Sequence, residues 1–205
     1  MSITRCGLVF AVLANAQACG LPVTGSHSNV VVRLINSAQV DHNTLERAEQ
    51  ITKRLLAHAG IDLVWVNCVP LPPERAGEDP CMGEPSIVSF WLYISNWQPA
   101  SLRMATVGFT VLDHNTGAAR PTVIYPRVAR MAKDYLSDEE TVLAVTMAHE
   151  IGHSLGAHHS HTGVMSAQFN RRLLLDMGQG TLFFDGDQAA AMRAEIAHRL
   201  TFRKP

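Results

Sequence analysis

Apolar and polar positions follow two periods along this chain, and the changes of period mark its elements. Residues 30–35 are β-branched and apolar around a single arginine, which predicts a buried strand. Leu45, Ala48, Ile51, Leu55 and Ala59 then recur at helical spacing; Asp41 or Asn43 can cap this helix, and Gly60 can close it. Residues 61–67 read as a second strand. Strand, helix and strand in succession imply a crossover and a parallel pair. Residues 69–85 are rich in proline, glycine and charge and predict an exposed loop. Residues 87–95 predict a third strand, 105–112 a fourth and 121–125 a fifth. The stretch 113–117 is turn-rich, and its His114 reads as a solvated turn histidine. Ser137, Asp138, Glu139 and Glu140 form a capping box with acid at the positive end of a helix. Those carboxylates are helix-start charges, and the helix carries Val142, Leu143 and Val145 on to His149, Glu150 and His153. Residues 185–187 cap a last helix through Arg199, with Ala189, Met192, Ile196 and Leu200 as its buried stripe. The alternation is that of an α/β chain.

Composition narrows this to one globular domain. The chain has 205 residues, 47% of them hydrophobic, and a formal net charge of −1, enough for a sizeable core in an expected monomer. Near-zero charge gives no footprint for nucleic acid or a membrane surface. At the N-terminus, Arg5, the apolar run 7–14 and Ala16-Gln17-Ala18 have the layout of a secretory signal over residues 1–18, although an ordinary buried segment is the alternative. The run is too short to span a bilayer. Cleavage would leave a single domain over 19–205, secreted or periplasmic, with Cys19 first. The four cysteines, Cys6, Cys19, Cys68 and Cys81, form no C-x-x-C pair. Cys68 and Cys81 bracket most of the 69–85 loop. In an oxidising compartment a disulfide between them would close it; two free buried thiols are the alternative.

The chemistry concentrates between His149 and His159, which read H-E-x-x-H-x-x-G-x-x-H. His149 and His153 are four apart, so on a helix they share one face and can hold one metal. Glu150 can reach a water at that metal without being a ligand. Gly156 can end the helix in a left-handed conformation, and the chain can then turn back to offer His159. Three neutral imidazoles and an open position make a catalytic Zn²⁺ site, whereas structural zinc is usually closed by four ligands, often cysteines. Because the ligands must be neutral, activity should fall at low pH. The plain alternative is a histidine-rich helix end without metal.

This pattern resembles that of the metzincin zinc peptidases, whose signature is this long motif followed by a Met-turn. Within that clan it is most similar to the matrixins: Gly152 matches their H-E-x-G-H form, and Ser160 follows the third histidine as in them. The resemblance implies a twisted five-stranded mixed sheet with an antiparallel edge strand, two long helices, one of them carrying the motif, and a C-terminal helix. It implies a secreted zinc-dependent endopeptidase that acts on a peptide or protein. One zinc would be held by His149, His153 and His159, with Glu150 as general base and Met165 packed beneath the metal. It also implies that the fourth strand is the edge on which substrate pairs, with Gly108, Phe109, Thr110, Val111 and Leu112 as the segment. Met165 lies six residues beyond His159, a shorter connection than is usual in matrixins, and equally suits an ordinary core methionine. No tyrosine follows it, so the fifth ligand of astacin-like relatives has no counterpart. No D-x-D-x-D cluster supports calcium. Other readings are His158 or His161 as third ligand, Glu195 as third ligand in the gluzincin manner, and a non-catalytic zinc-binding adhesion or inhibitor module on a peptidase fold. Cys19-Gly20-Leu21-Pro22 resembles the core of the matrixin cysteine switch without its flanking arginine and aspartate; a plain N-terminal thiol and a lipid-anchored cysteine are the alternatives. Residues 166–180, which would shape the specificity pocket, carry no residue that names a substrate.

Overall fold

A computed structural model describes residues 28–68, 81, 88–103, 105–113 and 118–202. The signal-like segment, Cys6, Cys19, most of the 69–85 loop and His114 lie outside the described residues. The elements in order are β1 (Ser28–Asn36), α1 (His42–His58), β2 (Ile61–Cys68), β3 (Val88–Ser95), β4 (Gly108–Leu112), β5 (Ala119–Ile124), α2 (Tyr125–Tyr135), α3 (Glu139–Ser154), α4 (Arg171–Gly178) and α5 (Gly186–Phe202). One five-stranded sheet runs β2-β1-β3-β5-β4. β1 is parallel to β2 and β3, and β3 is parallel to β5. Among the described residues β4 alone is antiparallel, paired to β5 at the edge. The fold is therefore α/β with a mixed sheet and an antiparallel edge strand.

Local sequence explains most of these elements. The Asp41 carboxylate caps α1 by accepting from the amides of Asn43 and Thr44 at 3.0 and 3.1 Å. Gly60, at φ +76°, then turns the chain into β2. α3 lies against α1, α2, β4 and β5, and its residues from Val142 to Gly152 are all buried. Such burial suits a helix without a polar face. Cys68, the last residue of β2, is disulfide-bonded to Cys81 with Cα atoms 5.8 Å apart. Among the described residues no helix is long and apolar enough to cross a membrane.

Several expectations need correction. The fourth strand begins at Gly108, and residues 105–107 precede it as loop. The fifth strand ends at Ile124, because Pro126 favours the first turn of a helix, and α2 starts at Tyr125. α4 is also additional; Asn170 caps it by accepting from the Leu173 amide at 3.0 Å. Asp138 is the N-cap of α3, but no side chain makes the cap bond, so the capping box does not form. Its carboxylates reach other elements: Glu139 accepts from the Tyr125 hydroxyl at 2.6 Å, and Glu140 pairs with Arg47 at 3.2 Å. Ala189, Met192 and Ile196 are buried in α5, whereas Leu200 is 49% exposed on the last turns, which run past the core.

Candidate metal centre

The last turns of α3 present His149 and His153 on one side, and the helix end supplies the third imidazole. Gly156 adopts φ +84°. Its amide donates to the His153 carbonyl at 3.1 Å, and the Ala157 amide donates to the Gly152 carbonyl at 2.9 Å. This is the Schellman pattern of a helix closed by a left-handed glycine. The reversal returns His159 over the helix. The Nε2 atoms of His149, His153 and His159 then lie 3.0 to 3.2 Å from one another.

The outer nitrogens fix the tautomers. His149 Nδ1 donates to the Val164 carbonyl at 2.8 Å, and His153 Nδ1 donates to the Ala157 carbonyl at 2.9 Å. A carbonyl can only accept, so both Nε2 atoms carry lone pairs turned inward. Converging lone pairs repel unless a cation lies among them. Ligands about 2.0–2.1 Å from one tetrahedral ion are separated by about 3.3 Å, close to the spacing observed. The donor set therefore fits zinc. Burial lowers the His149 pKa to about 4 and also lowers that of His153, which keeps both neutral at neutral pH, as ligands must be.

A short loop supports this arrangement from below. Met165 is fully buried, and a Cβ on Gly152 would stand 2.5 Å from its Sδ and 3.1 Å from Phe184 Cε1. Gly152 is thus the space into which the thioether fits. The Ser160 amide donates to the Met165 carbonyl at 2.9 Å, and the Val164 amide donates to the Phe183 carbonyl at 3.1 Å. These bonds hold the carbonyl that orients His149.

Glu150 sits beside the imidazoles, 3% exposed. Burial raises its carboxyl to about 7, against a lowering contribution from the Thr110 hydroxyl, which donates to Oε2 at 2.6 Å. The cleft above is about 730 Å³. Gly108, Phe109, Thr110 and Leu112 of β4 line it, together with Ser166, Ala167, Gln168 and Phe169. The Val107 carbonyl accepts from Ile124 and the Asp113 amide donates to Ala118. Odd-numbered residues of this stretch therefore turn their backbone groups to β5. Gly108, Thr110 and Leu112 turn theirs to the open edge.

Among the described residues, His149, His153 and His159 are the group of potential ligands brought together. His158 and His161 are not in it. Nor is Glu195, whose place four residues before Arg199 on α5 makes it an ion pair at 2.7 Å; Arg199 also donates to the Ser154 carbonyl. The gluzincin ligand set is therefore not assembled. Two contributors carried no signal in the sequence. Arg127, 4% exposed on α2, donates through Nη1 to the carbonyls of Arg103 and Thr106 at 2.6 and 2.9 Å, which fixes the loop ahead of β4. Phe169 faces His149 with ring centroids 6.4 Å apart.

No family model matches the chain, and no curated protein matches it. Among solved structures the chain is similar to metalloproteinase-II from Bacteroides fragilis, at 14% sequence identity and a TM-score of 0.45. The similarity covers 83% of this chain and 54% of that one, so the chain spans about half the length of that structure.

Proposed function

We propose that this chain is a zinc-dependent endopeptidase of the metzincin kind, closest in its motif to the matrixins. The observation that carries the reading is the convergence of three Nε2 atoms at 3.0 to 3.2 Å beside a buried glutamate, next to an antiparallel strand that is the sheet edge among the described residues. His149, His153 and His159 would hold Zn²⁺, which when bound acidifies water and polarises a carbonyl. Glu150 would take a proton from the attacking water at its carboxylate and deliver it to the leaving amine nitrogen. An extended peptide would add to β4 through the backbone of Gly108, Thr110 and Leu112, placing its scissile bond over the imidazoles. Met165 would act through packing alone. The buried carboxyl speaks against a non-catalytic zinc module, since Glu150 stands outside the group of three potential ligands and is costly to ionise. Secretion after cleavage at Ala18 belongs to the same proposal, and the Cys68–Cys81 disulfide suits an oxidising compartment.

A mixed peptide library tests this. The purified protein should cleave it, a zinc chelator should abolish cleavage, and added zinc should restore it. Cleavage that ignores the chelator, or no cleavage from zinc-loaded protein, contradicts the proposal.

A further inference from the structure

The Thr110 side chain of β4 touches Glu150 and also lines the cleft. Thr110 Oγ1 lies 2.6 Å from Glu150 Oε2 and 3.1 Å from the Glu150 carbonyl oxygen. A threonine hydroxyl has one proton, and the nearer carboxylate takes it; 2.6 Å is the length of a charge-assisted O–H···O⁻ bond. Two residues earlier, Gly108 leaves room for the other oxygen. A Cβ there would stand 2.7 Å from Oε1, 2.9 Å from Glu150 Cγ and 3.0 Å from Thr146 Cγ2, so a side chain would displace the carboxylate. One face of the edge strand thus both leaves room for the glutamate and hydrogen-bonds it.

We infer that Thr110 is the positioning residue of the proposed base. Its hydroxyl engages Oε2 and leaves Oε1 as the oxygen that can take a proton. The backbone of Thr110 faces the open edge, where a substrate main chain would pair. One residue therefore ties the register of a bound peptide to the place of the base, through a link about one side chain long. Reaction geometry is sensitive to displacements near 1 Å, so loss of this bond should appear in turnover more than in binding. The inference rests on the peptidase reading above.

The test compares Thr110→Val, which keeps the shape and loses the donor, with Thr110→Ser, which keeps the donor. In the zinc-loaded protein, Thr110→Val should lower kcat about ten-fold or more, with KM within about two-fold and zinc content unchanged. Thr110→Ser should stay within about three-fold of wild type. Thr110→Ala replaces the valine variant if that one does not fold. A second readout needs no activity: thermal melts of metal-free wild type, Thr110→Val, Glu150→Ala and the double variant. Coupled residues give melting shifts that do not add. Wild-type kcat in Thr110→Val, or additive melts, overturns the inference. If the wild type cleaves nothing, the peptidase reading fails, and the melts alone decide whether Thr110 holds Glu150.

Discussion

Glu150 is the residue at which stability and chemistry oppose each other most directly. Burial lifts its carboxyl from an ordinary 4.5 to about 7 in the metal-free fold. Between those values the unfolded chain has released a proton that the folded chain still holds. The folded state binds more protons there, so this group makes stability fall as pH rises from 4.5 to 7. The loss amounts to about 3 kcal/mol once the carboxyl is ionised in both states. His149 acts in the opposite sense. Its pKa falls from 6.5 to about 4, so stability is lost as pH drops through that range. The two slopes offset each other in the wild type. Metal-free Glu150→Gln should therefore match wild type near pH 4 and exceed it by about 3 kcal/mol at pH 8. Urea unfolding at both pH values checks this, and equal stability at pH 8 would refute the account of Glu150.

At the scale of elements, α3 has to be flush against the Met165 turn, and Gly152 is where they meet. Alanine is the better helix former by about 1 kcal/mol. Here its Cβ would meet a fully buried thioether at 2.5 Å, and overpacking of that kind costs about 1–3 kcal/mol. Gly152→Ala should thus be destabilising by about 1 kcal/mol in denaturant, and an unchanged or raised midpoint would show that the turn gives way freely. The elements also show what was readable in the sequence. α1 and α5 announce themselves through apolar stripes, α3 through its acidic start and the apolar run behind it, and the Gly156 turn through its position behind His153. α2 was readable in principle: Val128, Met131, Ala132 and Tyr135 lie at helical spacing behind Pro126. Continuing the β-branched run of β5 to Tyr125 hid that start. α4 has the same kind of signal, with Asn170 ahead of Leu173, Leu174 and Met177. The Thr110–Glu150 bond had none, because it joins residues 40 apart and exists only once the strand lies on the helix.

Taken as a whole molecule, the sheet order sets the site. The β3-to-β5 pairing leaves β4 at the edge beside α3, so that strand borders the helix that carries His149, Glu150 and His153, with His159 returned over the helix end. Arg127 of α2 holds the loop ahead of that strand, and the Val164 carbonyl of the 160–166 turn holds the His149 imidazole. The legible part of this plan was the histidine spacing and the strand succession; the lining supplied by residues 166–169 was not, since this stretch between the Met165 turn and α4 is irregular and has no period to read. The central claim is that this frame holds one zinc through histidines alone and uses Glu150 only as a base. Zinc content and peptide cleavage, measured together on wild type and Glu150→Ala, test it most directly. Expected are one zinc per chain in both proteins and a loss of turnover of about 10²-fold or more in the variant. A variant that loses its zinc, or that cleaves as fast as wild type, would contradict it.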